Sequence, residues 1–284
     1  MASVRDIRRH IRSIVNIKKI TKTMEKVAGA RMHKTTSVLL ASRPYAKLAW
    51  SLLLDLSAKT ERELHPLLQT RPVKNKLGIL ITSDRGLCGA YNMNLIHAAL
   101  KLVADKATFS FICVGKKGRD FLMRRGYKVI AEFSGLPAPV SFLQVGPIAQ
   151  IAIKDFVDHI IDEVYVIYGE FVSNLIQKPT VLKLLPLQQE HDDNKGIAEF
   201  IYEPSATEVI SNLVPRIIEY EIYAALLESQ VSEFAARMMA MKNATDNAEN
   251  LIDGLVLSYN KARQEGITRE LAELSSSKLI IEEQ

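Results

Sequence analysis

Residues 210–259, ISNLVPRIIEYEIYAALLESQVSEFAARMMAMKNATDNAENLIDGLVLSY, decide how this chain is read. Ile210, Leu213, Ile217, Tyr220, Ala224, Leu227, Val231, Phe234, Met238, Met241, Thr245, Ala248, Ile252, Leu255 and Tyr259 follow one another in steps of three or four, and only Thr245 is clearly polar. That spacing is a coiled-coil seam. At a rise of about 1.5 Å per residue the stripe runs roughly 75 Å, more than one globular domain needs, so the expectation is a rod whose seam faces another long helix.

The other end of the chain supplies the partner. From Val4, apolar residues recur at Ile7, Ile11, Ile14, Ile17, Ile20, Met24 and Val27, with a shortened phase near Ile17. Val38, Ala41, Tyr45, Leu48, Leu52 and Leu56 continue the rhythm, so residues 3 to about 58 read as one helix. Gly29 and Pro44 are its weak points, because Gly costs about 1 kcal/mol in a helix interior relative to Ala and Pro about 3. A small-residue contact near Gly29 and a bend near residue 43 are therefore expected. Two terminal helices facing each other predict an antiparallel pair.

Charge distinguishes the two helices. Residues 1–34 hold ten Lys or Arg against Asp6 and Glu25, whereas residues 205–284 hold seven basic and thirteen acidic groups. Opposite bias favours pairing the ends with each other, although exposed ion pairs contribute only about 0.2 to 1 kcal/mol each. Charge steers and apolar burial stabilises. The whole chain carries a net charge of +5, concentrated at the N-terminus, which suggests an acidic partner.

The 284 residues, 48% hydrophobic, suffice for one domain of roughly 100 to 150 residues plus two long helices. No run approaches the length of a membrane span. The Arg-rich start resembles a transit peptide, but its apolar phase runs on into the helix, so removal is not expected. Cys88 and Cys113 form neither a disulfide framework nor a metal pattern, which points to a reducing compartment, cytoplasmic or facing the cytoplasm.

The middle of the chain changes character. Leu77–Thr82 and Phe109–Val114 read as buried strands, with further strands near Tyr127–Ala131, Val164–Phe171 and Thr180–Leu187. Helices are predicted over Met93–Asp105, Lys116–Arg125 and Ile148–Asp162. Alternating strand and helix gives an α/β layer structure. Glu61–Asn75 and Glu190–Glu199, rich in polar residues, serve as connectors. Ser205 with Glu208 is a capping-box pattern opening the last helix, and Pro215 predicts a kink or break near Ser211. The expected organisation is an N-terminal coiled-coil helix at 1–60, a central Rossmann-like α/β domain at 76–200 and a C-terminal coiled-coil helix at 205–284.

Asp84-Arg85-Gly86-Leu87-Cys88-Gly89 follows a strand and precedes a helix, the place where α/β folds bind phosphate. The glycine spacing matches neither a P-loop nor a dinucleotide fingerprint. Val114-Gly115-Lys116-Lys117-Gly118 is a second such turn without the pattern. The six histidines lie far apart, and His191-Asp192-Asp193, the nearest to a metal site, falls in a polar connector. Cys88 has only Arg85 nearby to lower its pKa, and Cys113 reads as strand core. These residues offer no covalent chemistry, no cofactor and no metal site.

Several stretches together resemble the gamma subunit of bacterial F-type ATP synthases. They are Ile17-Lys18-Lys19-Ile20-Thr21-Lys22-Thr23-Met24-Glu25-Lys26-Val27-Ala28, Ser83-Asp84-Arg85-Gly86-Leu87-Cys88-Gly89-Ala90-Tyr91-Asn92, Ala235-Ala236-Arg237-Met238-Met239-Ala240-Met241-Lys242-Asn243-Ala244-Thr245-Asp246-Asn247-Ala248 and Tyr259-Asn260-Lys261-Ala262-Arg263-Gln264. Four blocks in order make chance a poor explanation.

The resemblance implies a non-catalytic rotating shaft inside a ring of alpha and beta subunits. Its α/β domain would lie toward the membrane, where it joins the epsilon subunit and the membrane c-ring, peripheral at the cytoplasmic face of the inner membrane. Ion flow would turn the shaft, whose asymmetry drives the catalytic sites. Carried over by motif, Lys22, Met24 and Lys26 match the position near acidic loops of the catalytic subunits. Arg237, Gln264, Thr268 and Glu270 match positions that touch Met24's turn or those subunits, and Asp84, Arg85 and Gly86 match the strand-to-helix motif. The tail from Leu274 to Gln284 departs from the family's short Gly- and Ala-rich ending, because Lys278, Glu282 and Glu283 are costly in an apolar sleeve. A nucleotide-binding α/β protein with coiled-coil arms is the alternative; a nucleic-acid binder using the basic first helix is a third reading, opposed by that helix's apolar seam.

Overall fold

A computed structural model describes residues 4–59, 66–187 and 206–282. Two long helices, α1 (Val4–Lys59) and α5 (Ala206–Glu282), flank β1 (Lys76–Ile81), α2 (Tyr91–Lys101), β2 (Phe109–Val114), α3 (Lys116–Arg124), β3 (Lys128–Phe133), α4 (Gly146–Val157), β4 (Glu163–Phe171) and β5 (Gln177–Leu185). Each expected strand and helix is present, with ends moved by a few residues. The chain forms two compact units, Met1–Val27 with Met238–Gln284, and Ala28–Arg237.

The larger unit holds a five-stranded sheet in the order β3-β2-β1-β4-β5. β1 to β4 run parallel, and β5 returns antiparallel beside β4. Parallel strands covered on both faces need near-continuous apolar sequence, and Leu77, Ile79, Leu80, Phe111, Ile112 and Cys113 are all fully buried. Leu95, Ile96 and Ala99 of α2 and Leu122 of α3 join that core. The strand order reverses between β1 and β4, so the crevice at the carboxyl ends of these two strands is the switch point where such sheets bind ligands. The expected connector Glu61–Asn75 does more than connect, since Leu67 is buried in it and Arg71 pairs with Asp162 at 2.8 Å.

Glycines set the turns at that carboxyl edge. Gly115 has φ +95°, and a Cβ there would stand 2.1 Å from the Thr82 carbonyl oxygen. Gly118 donates its N–H to Thr82 Oγ1 at 2.9 Å, and a Cβ on Gly118 would lie 2.8 Å from that oxygen. The end of β1 and the start of α3 can touch only because both side chains are absent.

In the smaller unit α1 and α5 pair antiparallel, with Lys18 meeting Glu249 at 2.8 Å and Thr21 meeting Thr245 at 2.8 Å. The α5 seam is as expected: Met241, Thr245 and Ala248 are buried, and Ile252, Leu255 and Tyr259 half-buried. The α1 seam is a correction. The heptad does not shorten near Ile17; it keeps strict phase through Ile14, Lys18 and Thr21 and turns Ile17 and Ile20 outward, 50% and 59% exposed. Val27 is 48% exposed as well. In the larger unit the same phase continues at Ala28, Met32, Thr35 and Leu39, all buried. Packing geometry, not the nearest apolar residue, fixes the seam. The side chains of Leu52 and Leu56 lie outside the described residues.

Both helices run through their prolines, α1 through Pro44 and α5 through Pro215, so of the kink or break expected near Ser211 the break is absent. Around Pro215, Val214, Ile217 and Ile218 are at most 1% exposed. Burial of three such side chains, about 1.5 to 3 kcal/mol each, offsets the roughly 3 kcal/mol that an interior proline costs. Ser205 and residues 190–199, including His191, lie outside the described residues.

Candidate functional site

Residues 83–92 form a compact knot at the end of β1. Ser83 N–H donates to Asn92 Oδ1 at 3.0 Å, Asn92 Nδ2 donates to Ser83 Oγ at 2.7 Å, and Ser83 Oγ donates to the Arg85 carbonyl at 2.7 Å. Asp84 accepts the Lys116 N–H at 3.1 Å and the Gly135 N–H at 2.8 Å, so its carboxylate ties the loops after β2 and β3 to the knot. Leu87 adopts φ +66° to let the chain double back into α2. Cys88 lies beneath, and burial pushes its thiol pKa up, so the sulfur stays protonated and unreactive. Cys113, pushed up to about 12 by the same cause, is equally inert.

α5 crosses this edge and holds it with a row of polar side chains. Glu228 accepts the Phe171 N–H at 3.4 Å. The Tyr91 hydroxyl donates to the Ser229 carbonyl at 2.8 Å and is hydrogen-bonded to Ser229 Oγ at 2.7 Å. Tyr91 reaches it by lying over Gly169, where a Cβ would stand 2.6 Å from the ring. Gln230 accepts the Val140 N–H at 3.1 Å and donates to the Pro137 carbonyl at 2.9 Å. Two helical turns on, Arg237 pairs with Glu233 at 2.5 Å and donates to the carbonyls of Arg85 at 3.1 Å and Gly86 at 3.4 Å.

The switch-point crevice is thus occupied by the chain's own helix. Burial pushes the Glu233 carboxyl up, and the Arg237 guanidinium pulls it back toward ionisation. Arg237 is mostly buried, with 12% of its side chain exposed. It clamps the 85–86 turn through the carbonyls of Arg85 and Gly86. Arg85 itself is exposed, and Asp84 and Gly86 are half-buried.

The remaining expected site residues fall in the smaller unit. Lys22 is exposed and pairs with Glu25 at 3.1 Å; Met24 is half-buried, and Lys26 is exposed. Gln264 and Thr268 are exposed on α5, with the Thr268 hydroxyl donating to the Gln264 carbonyl at 2.9 Å. The Glu270 side chain lies outside the described residues. Of the expected set, the structure joins Arg237 to Arg85 and Gly86. Tyr91 of α2 and Ser229, Gln230 and Glu233 of α5 were missed; for the three on α5 the signal was a run of polar residues inside an otherwise apolar stretch.

Comparison with known proteins matches this architecture. The model of the family described as ATP synthase matches residues 3–278. The ATP synthase gamma chain of Brevibacillus brevis is 41% identical over 275 residues, covering 95% of this chain and 96% of that relative. Among solved structures, the central stalk and c-ring of Tetrahymena thermophila mitochondrial ATP synthase contains a chain similar with a TM-score of 0.64 and 26% identity, over 79% of this chain and 99% of that one. A chain of the Euglena gracilis mitochondrial ATP synthase has the same fold, with a TM-score of 0.71 at 20% identity, over 98% of this chain and 94% of that one. With a seam of two long helices, an α/β domain gripped by one of them, and a family match over nearly every residue, this chain belongs to the ATP synthase gamma chain family.

Proposed function

We propose that the chain is the central rotating shaft of an F-type ATP synthase, coupling ion flow through the membrane rotor to ATP synthesis or hydrolysis in its neighbours. The observation that carries this is α5: one unbroken helix, Ala206–Glu282, which serves the coiled-coil seam in one unit and fills the α/β crevice in the other. A helix shared in that way passes force along its backbone. Its partners would be the alpha and beta subunits as a ring, the epsilon subunit and the c-ring. Lys22 and Lys26 present cations suited to acidic loops of catalytic subunits. Met24, Gln264, Thr268 and Glu270 would contact the ring, and Asp84, Arg85 and Gly86 would present the knot to partner subunits.

The chain performs no chemistry of its own in this reading, because its cysteines are buried and protonated and its crevice is filled. Filling by Ser229 and Tyr91 also removes the support for a nucleotide site. Among the described residues no helix is long and apolar enough to cross a membrane, which suits a peripheral subunit at the cytoplasmic face of the inner membrane.

The test mixes cognate alpha and beta subunits with and without the chain. A co-purifying complex with multisite ATP turnover only when the chain is present supports the proposal; absence of both rejects it. Arg237→Ala sharpens it. The change leaves Glu233 buried without its cation, a loss of about 3 kcal/mol, and frees the 85–86 turn. Assembled complexes should still hydrolyse ATP while pumping fewer protons per ATP, and unchanged pumping would count against a role in coupling.

A further inference from the structure

Among the described residues, the seam of the smaller unit contains one buried polar layer. Thr21 and Thr245 are 9% and 4% exposed, and the layers around them are built from Ile14, Met241 and Ala248. The two hydroxyl oxygens lie 2.8 Å apart. Each also approaches its own helix: Thr21 Oγ1 is 3.1 Å from the Lys18 carbonyl, and Thr245 Oγ1 is 2.8 Å from the Met241 carbonyl. Two hydroxyls have two protons, and three contacts compete for them. The two shorter contacts take them. Thr21 therefore donates to Thr245, which donates to the Met241 carbonyl, a directed chain from one helix to the backbone of the other.

Apolar layers do not fix axial position, because Val4, Ile7, Ile11 and Ile14 on α1 and Ile252 and Leu255 on α5 pack almost interchangeably. A slip by one heptad would set Thr21 against Met238 or Ile252 and break the chain. It would also move Lys18 from Glu249 to Lys242, a like charge, or to Val256. We propose that Thr21 and Thr245 are positioning residues that lock the axial register of the two helices, contributing specificity of alignment in place of stability. Buried polar pairs are best attested in this registry role. The consequence for coupling rests on the shaft reading, since a shaft with two registers would present its contact residues at two heights; the register itself does not.

The experiment reads register directly on the full chain. A water-soluble carbodiimide activates the Glu249 carboxylate, and the Lys18 amine displaces it as a urea to form an amide. Only groups in direct contact react. The wild-type chain is expected to give the Lys18–Glu249 cross-linked peptide on mass spectrometry. The T21V/T245V double variant, nearly isosteric, should keep its helix content and melt at the same or a higher temperature. Its ratio of cross-linked to uncross-linked chain should fall about fivefold, the equivalent of one hydrogen bond. T21S/T245S should retain the wild-type yield. An unchanged yield in T21V/T245V overturns the proposal, and so does unfolding of that variant, which would make the pair a stabilising element. Failure of the wild-type chain to support an assembled ATPase would count against the shaft reading and leave the cross-link result standing.

Discussion

The same helix is held in two ways. In the Ala28–Arg237 unit, α5 is enclosed on most sides: Val214, Ile218, Ile222, Leu226, Leu227 and Val231 are at most 2% exposed, although they do not share one helical face. In the other unit it is covered only at every third or fourth residue, and Leu251 and Leu257 are 58% and 71% exposed. Burial secures the first region by area, with polar side chains choosing which loops it meets. The second region has a narrow seam, and there alignment depends on single pairs. Damage to a core residue should therefore cost stability in one region, whereas damage to a pair should cost alignment in the other.

The largest effect that would break this comparison lies at Gly115. Replacement by Val forces a Cβ onto the Thr82 carbonyl at a backbone angle that L residues rarely adopt. We expect a loss of about 4 kcal/mol or more, seen as failure of the larger unit to give a cooperative unfolding transition while α1 and α5 retain helical circular dichroism.

A direct contrast comes next. Ile218→Ala should destabilise by about 3 kcal/mol, because the side chain is fully enclosed. Ile252→Ala, at a half-buried seam position, should cost about 1 kcal/mol. Urea unfolding with hydrogen exchange along α5 distinguishes the two, and equal costs would mean that the seam is as tightly packed as the core.

The smallest effect is pH-dependent. Burial raises the Glu228 pKa, with Glu170 adding to the rise and Arg43 opposing it. A carboxyl raised in the folded state binds more protons there than in the unfolded chain, so its stability contribution is greatest below the unfolded value and is lost as pH rises through the folded one. Glu228→Gln keeps an acceptor for the Phe171 N–H and removes the charge. Its melting temperature should exceed that of wild type by a degree or two at pH 8, equivalent to less than about 1 kcal/mol, with the gain vanishing near pH 4.

Much of the fold was legible because its periods are strong. β2 was read to the residue, Phe109–Val114, since a buried parallel strand is continuously apolar. The α5 seam was legible for the same reason. On α1 the reading followed Ile17 and Ile20, because apolar residues mark a seam in isolation; Thr21 held the position because it had Thr245 to bond. A pairwise hydrogen bond leaves no trace in one helix's periodicity. Arg237 was singled out by motif, but its clamp on residues 85–86 spans 152 positions of sequence and depends on the knot formed by Ser83 and Asn92. The run Glu228-Ser229-Gln230 was visible as polar residues in an apolar helix. Which loops they bind was not, because sheet topology decides it.

The crevice filled by α5 also sets an order of events during synthesis. β5 ends at Leu185, and Arg237 lies 52 residues further along the chain. At about 5 to 20 residues per second the ribosome needs roughly 3 to 10 s to deliver that stretch. Throughout that interval the Tyr91 hydroxyl, the Gly169 N–H and the carbonyls of Arg85 and Gly86 must be solvated by water. The apolar core edge against which Ala236 later packs stays open beside them. The nascent chain therefore passes through a sheet complete in its strands and bare along one margin, a surface that the last helix, once released, covers.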